Sequence, residues 1–189
     1  VEIDTCFVVC EFSTVKYYTA NNAGSTYHWQ VLGADSYTAN GNEVTVEWGA
    51  AGTGTVIVTE TNADSCFASY SRCIKIIESP VADFTTIPAA VNNIITICDG
   101  DEVNFYDQST GSTASPIINW FWEFGDGTVS YDENPSHIYS AGHYTATLTV
   151  TNSCQCTATD TVQIRVEEAV SPEIYCVGTV CADEVAVYY

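Results

Sequence analysis

The sequence predicts an all-β chain built as two small β-sandwiches in tandem. Three observations carry that expectation. Apolar residues alternate with polar ones along short segments, turn signals recur between them, and the chain repeats itself. In Tyr144-Thr145-Ala146-Thr147-Leu148-Thr149-Val150-Thr151 the apolar residues share one parity and four threonines the other. That is a half-buried strand with one wet face. In Ile118-Asn119-Trp120-Phe121-Trp122-Glu123-Phe124, Ile118, Trp120, Trp122 and Phe124 share a parity and are expected in a core. Asn40-Gly41, Asp99-Gly100, Thr110-Gly111, Asp126-Gly127 and Asn134-Pro135 punctuate the strands as turns do in sandwiches. No segment shows sustained helical periodicity.

The repeat sets the domain organisation. Gly54–Asn62 aligns without gaps on Tyr144–Asn152, and Tyr27-His28-Trp29-Gln30-Val31 aligns on Trp120-Phe121-Trp122-Glu123-Phe124. Residues 1–79 and 80–168 are therefore expected to be two copies of one module, each large enough for one sandwich. The Pro-bearing junctions Glu78-Ser79-Pro80 and Val170-Ser171-Pro172 are short and should be stiff. Residues 169–189 repeat the start of the chain: Glu173-Ile174 … Cys181 … Tyr188-Tyr189 resembles Glu2-Ile3 … Cys10 … Tyr17-Tyr18. They are expected to form the first strand of a further module, with Val185, Val187 and Tyr189 needing a partner sheet. End-to-end contact with neighbouring modules of the same kind follows as an expectation.

Composition narrows the function. The 189 residues carry 4 Lys and Arg against 24 Asp and Glu, a net charge of −20. Four scattered cations cannot build the basic surface that nucleic acid or an anionic bilayer requires. No run of 18 apolar residues is present, so no membrane insertion is expected. With no Met in the sequence, a processed or excised product is expected. The chain is acidic and rich in Thr, with 24 of them, as suits extracellular or cell-surface material. Nine cysteines without a CxxC or a Cys/His cluster suit disulfides in an oxidising compartment rather than zinc.

The segment Trp122-Glu123-Phe124-Gly125-Asp126-Gly127 … Asn134-Pro135-Ser136-His137-Ile138-Tyr139 … Gly142-His143-Tyr144-Thr145-Ala146-Thr147-Leu148-Thr149-Val150 closely resembles the PKD (polycystic kidney disease) domain. Its signature is W-x-F-G-D-G, then N-P-x-H-x-Y, then alternating strand residues. The resemblance covers 80–168 and implies tandem immunoglobulin-like sandwiches. Trp122 and Phe124 are expected in the core, Gly125 and Gly127 at positive φ, Asp126 on turn amides, and Tyr139 at a strand start. The first module resembles a degenerate relative. It keeps Trp29 but has Gly33-Ala34-Asp35 for the Gly-Asp-Gly turn. Its pattern is similar to PKD-like repeats in giant Bacteroidota surface and gliding adhesins exported by type IX secretion. That resemblance implies a stiff stalk or adhesive filament. The alternative it implies is an accessory carbohydrate- or protein-binding segment of a secreted hydrolase, and a surface glycan or protein is the ligand expected.

Site chemistry is sparse. His28, His137 and His143 lie near no nucleophile motif, and no GxSxG, HExxH or phosphate loop is present, so no enzyme is expected. Asp99 and Asp101, in a compact acidic turn, are calcium candidates as hard oxygen donors on an acidic chain, and the PKD resemblance implies Asp126 and Asp160 as further ones. Thr161, in Asp160-Thr161-Val162, matches a pattern for O-glycosylation in Bacteroidota. Cys66 and Cys156 each lie four residues past the shared Asn, and Cys10 and Cys98 each precede an early strand. The expected pairs are Cys10–Cys66 and Cys98–Cys156, with Cys154 the rival partner for Cys98, and Cys6–Cys73 a further pair. The odd count leaves a thiol free to bridge modules or chains.

Overall fold

The structure, a computed structural model, describes residues 6–168 and 170. Apart from Val170, the expected strand of a further module at 169–189, including Val185, Val187 and Tyr189, lies outside the described residues. Those described contain 15 strands and no helix.

The first seven strands are β1 (Phe7–Cys10), β2 (Thr14–Tyr18), β3 (Thr26–Leu32), β4 (Ala34–Asn40), β5 (Glu43–Trp48), β6 (Gly52–Thr61) and β7 (Phe67–Ile77). They form a sheet of order β1-β7-β6-β3 and a sheet of order β2-β5-β4. The remaining eight are β8 (Phe84–Ile87), β9 (Ile94–Cys98), β10 (Glu102–Asp107), β11 (Ile117–Glu123), β12 (Val129–Ser130), β13 (Ser136–Ile138), β14 (Gly142–Asn152) and β15 (Thr157–Glu167). They form sheets of order β12-β11-β14-β15-β9 and β13-β10-β8.

Each pair of sheets closes on its own core. Trp29, Val44, Val46, Trp48 and Ile74 fill the first. Phe105, Trp122, Phe124, Tyr139 and Leu148 fill the second. The two modules share a frame residue by residue. β3 sets Trp29 opposite Val58 on β6, and β11 sets Trp122 opposite Leu148 on β14. Both indole N–H groups donate at 3.0 Å to a backbone carbonyl, Gly41 for Trp29 and Asp132 for Trp122. A buried indole needs such an acceptor. The modules differ at one edge: β4 pairs with β5 across the sandwich, whereas β12 pairs with β11.

The period-two reading of β14 matches its packing, with Ala146, Leu148 and Val150 fully buried and the alternate threonines facing out. In β11 the alternation breaks. The register shifts between Ile117 and Asn119 against β14, so Ile117 packs on the core and Ile118 is 53% exposed. Ile118 is therefore not a core residue. A bulge adds one residue to a strand and moves everything before it to the other face.

Trp122 has no exposed surface and touches Phe84 and Phe105 at ring-centroid distances of 5.0 and 5.1 Å. Trp122→Ala should destabilise the second module by about 3–5 kcal/mol, the usual cost of emptying a large aromatic site. The first module, with its own core, should keep its melting transition. A two-transition thermal melt of the variant checks this, and an unchanged melt would contradict the packing.

Candidate functional sites: the motif turn and the module junction

The Gly-Asp-Gly turn after β11 is a closed polar network. Asp126 Oδ1 accepts from the Thr128 amide at 2.9 Å and from the Thr128 hydroxyl. Asp126 Oδ2 meets His137 Nε2 at 2.7 Å. The His137 ring stacks on Phe124 at 4.3 Å and meets Tyr139 edge-on at 4.6 Å. Tyr139 is fully buried and donates its hydroxyl to the Phe124 carbonyl at 3.2 Å. Burial, then the nearby Asp126 charge, pushes the Tyr139 phenol up. Gly125 sits at φ 87°, and a Cβ there would lie 2.7 Å from the Thr145 carbonyl oxygen, so both conformation and close approach demand glycine. His137 thus holds a turn. Its Nε2 serves both Asp126 and Thr128, and its ring faces are covered by Phe124 and Tyr139. His28 and His143 are exposed on their strands.

The second site lies where the modules meet. Cys10, at the end of β1, is bonded to Cys156, just before β15, and Cys6 is bonded to Cys73. Cys66, Cys98 and Cys154 are free thiols. The expected Cys10–Cys66 and Cys98–Cys156 pairs, and the rival Cys98–Cys154 pair, are therefore corrected. The reason is strand direction. β1 runs parallel to β7 with Cys10 beside Ile77, while Cys66 precedes the other end of β7. Eleven strand residues lie between those ends, roughly 35 Å at the usual rise per residue. A disulfide needs Cα atoms no more than about 7 Å apart. In the second module Cys98 lies beside Glu167 and Cys156 precedes Thr157, again at opposite ends of an 11-residue strand. The first module carries Cys10 at one pole and Cys66 at the other, the second Cys98 at one pole and Cys156 at the other, and the bond forms between poles of different modules.

Hydrogen bonds seal the junction. Asn152 is fully buried and donates its side-chain amide to the Glu78 carbonyl at 3.2 Å. Glu11, next to Cys10, accepts from the Ser79 amide at 2.9 Å and the Ala51 amide at 3.3 Å. The Glu78-Ser79-Pro80 connection is thus held from both sides. Sequence reasoning found these cysteines but missed Glu11 and Asn152 as junction residues. Asn152 was visible as half of a repeated Asn-x-x-x-Cys pair.

The four calcium candidates are not brought together. Asp99 Oδ1 accepts from the Ala141 amide at 2.8 Å, and Asp101 Oδ2 from the Cys98 amide at 2.9 Å. Asp160 Oδ1 takes the Thr161 amide at 2.8 Å within β15. Asp126 belongs to the network above. Among the described residues no group of three or more acidic, His or Cys side chains could hold a metal ion. Each carboxylate instead caps a nearby N–H, the local use to which short acidic side chains are suited. Thr161 is exposed on β15, opposite Thr147.

The first module also opens a cleft of about 310 Å³ lined by Phe7, Tyr17, Tyr18, Tyr70 and Arg72. The Arg72 guanidinium lies 4.6 Å from the Phe7 ring centroid and 5.5 Å from that of Tyr70. Its Nε is buried with no hydrogen-bond partner. A flat apolar ring and a carboxylate are the chemical groups this surface suits.

Burial alone would raise the Asp126 carboxyl, but the Thr128 bonds and His137 outweigh it and hold it at about 2, below the ordinary 3.8. A depressed carboxyl contributes stability above its unfolded value and loses it as pH falls through the folded one. Asp126→Asn should therefore lower the second module's melting temperature at neutral pH, and the gap to the parent should close between about pH 4 and pH 2. Melting curves across that range check it. A gap independent of pH would contradict the network.

Comparison with known proteins places this geometry. Residues 80–166 match the PKD domain family. Collagenase ColA of Bacillus cereus is 43% identical over 54 residues, covering 28% of this chain and 6% of that protein. A microbial collagenase of Vibrio alginolyticus is 36% identical over 63 residues, covering 33% of this chain and 8% of that protein. The chain thus spans less than a tenth of the length of these relatives. The solved PKD1 domain of the Vibrio cholerae metalloprotease PrtV is 30% identical, with a TM-score of 0.39, covering 47% of this chain and 98% of that domain. No helix among the described residues is long and apolar enough to cross a membrane. The module that carries the Trp122–Tyr139 network, residues 80–166, belongs to the PKD domain family.

Proposed function

We propose that this chain is a non-catalytic accessory segment of a secreted multi-domain protein, a rigid two-module arm that fixes the spacing of what lies on either side of it. The observation that carries the reading is the Cys10–Cys156 bond between modules, with the Asn152–Glu78 contact beside it. Two sandwiches joined by a short connection and a second covalent tie lose the pivoting that domains otherwise have. The disulfides favour an oxidising, extracellular setting. The collagenase and metalloprotease relatives favour an accessory of a secreted hydrolase whose catalytic domain lies outside these residues. The stalk or filament of a surface adhesin draws on the same rigidity but finds no counterpart among those relatives. In either setting the aromatic cleft beside Arg72 is the surface on which a glycan or protein ligand would rest, and Thr161 is an accessible hydroxyl for a glycan.

Small-angle scattering tests the arm. The oxidised chain should give one narrow distance distribution, and Cys156→Ser should broaden it as the modules swing about residues 78–80. Equal distributions for the two would show that the disulfide does not set the geometry, and the rigid-arm reading would fail.

A further inference from the structure

The junction inside this chain is a template, and both of its halves are presented again, unused, at the two outer poles. The turn at Cys156 is repeated at Cys66, bond for bond. Asn152 Oδ1 accepts from Cys154 at 3.0 Å and from Cys156 at 2.9 Å. Asn62 Oδ1 accepts from Asp64 at 3.0 Å and from Cys66 at 2.9 Å. The Asn backbone N–H donates to the Cys carbonyl at 2.9 Å in both turns. The residue before each cysteine stands at positive φ, 68° for Gln155 and 63° for Ser65. The other half repeats as well. Cys10 ends β1 beside Ile77, and Glu11 donates its amide to the Ile77 carbonyl at 2.9 Å. Cys98 ends β9 beside Glu167, and Asp99 donates its amide to the Glu167 carbonyl at 2.9 Å.

Burial separates the used halves from the unused. Asn152 and Cys156 are 0% and 1% exposed, while Asn62 and Cys66 are exposed. Cys98 is exposed too. Strand direction puts Cys66 at the outer pole of the first module and Cys98 at the outer pole of the second, so the two cannot meet within one chain. Cys154 has no counterpart in the first module, where Asp64 occupies its place in the turn. Among the described cysteines it is the odd thiol.

We propose that copies of this module pair join head to tail through a disulfide between Cys98 of one copy and Cys66 of the next, repeating the Cys10–Cys156 junction. The occupant of each outer pole is a second copy of this chain's own modules. Asn62 would then donate its side-chain amide to the connection leaving β15, as Asn152 does to Glu78. The step needs an oxidant, and a small-molecule disulfide of the glutathione type serves. A Cys66 thiolate attacks one sulfur of it and releases one small thiol. The Cys98 thiolate of the other copy then attacks the Cys66 sulfur and expels the second. One disulfide is reduced to two thiols, one protein disulfide is formed, and the two protein protons pass to the leaving thiolates. The net charge of −20 opposes contact between copies, so the reaction belongs at an ionic strength that screens it.

The proposal rests on the rigid-arm reading for its template, and one digest tells their failures apart. The intact chain is incubated at high concentration in 0.15 M-range salt with oxidised glutathione, then run on non-reducing gels and peptide-mapped. A ladder of covalent oligomers with a Cys66–Cys98 linked peptide is expected. Cys66→Ser alone and Cys98→Ser alone should stay monomeric. An equimolar mixture of the two should stop at dimer, because it holds one competent pole of each kind. Cys154→Ser should leave the ladder intact. Absence of a ladder, symmetric Cys66–Cys66 or Cys98–Cys98 bonds, or linkage through Cys154 would overturn the proposal. If the digest recovers Cys10–Cys156 in such a case, the extension alone has failed. If Cys10 is instead recovered free, the rigid arm falls as well.

Discussion

The disulfide between Cys10 and Cys156 ties the far end of one sandwich to the near end of the next. Its position follows from a single fact of strand direction. A short early strand of each module, β1 or β9, runs parallel to the long last strand, β7 or β15, and so ends at the pole from which the chain leaves. The hairpin turn that begins the long strand lies at the opposite pole. A cysteine at each place gives a module two ends that match its neighbour and not itself. The covalent tie, the Asn152 amide and the Glu11 carboxylate then converge on one three-residue connection. The modules have separate cores, so their relative placement depends on this junction rather than on shared apolar burial.

Within the PKD module the motif residues serve packing and turn geometry. Trp122, Phe105, Phe124, His137 and Tyr139 form one run of ring contacts, and Asp126 pins the turn above it. A carboxylate held well below its ordinary range beside a histidine resembles an acid–base pair in a list of residues. Here both partners are used up by neighbours, and what they support is the Gly125–Gly127 turn. That use of polar side chains suits a module whose work is to hold shape. It also explains why the calcium candidates disperse, since each aspartate already caps a nearby amide.

Much of the fold was legible in the residues, because a period of two is a direct imprint of a sheet with one wet face. The equivalence of Trp29 and Trp122 was legible too, from parity around the aromatic pair. Ile118 was misplaced because a bulge is a backbone event that the alternation of β11 does not announce. The cysteines were half legible. Internal alignment identified Cys66 with Cys156 and Cys10 with Cys98 as matching positions. It could not say that the matched pair within a module lies at opposite poles, since that depends on the parallel register of β1 with β7. A parallel pairing leaves no local turn signal, as its strands are joined by the whole module rather than by a hairpin. Equivalent positions predicted equivalent bonds, and the bond turned out to join successive modules.

The central claim is that two sandwiches with separate cores behave as one body because Cys10 is bonded to Cys156. Backbone ¹⁵N relaxation on the oxidised chain measures this directly, through the rotational correlation time of each module. The account predicts a single diffusion tensor fitting the amides of β1–β7 and β8–β15 together, and two shorter, unequal correlation times once Cys10 is replaced by serine. Independent tumbling of the two modules in the oxidised chain would contradict it.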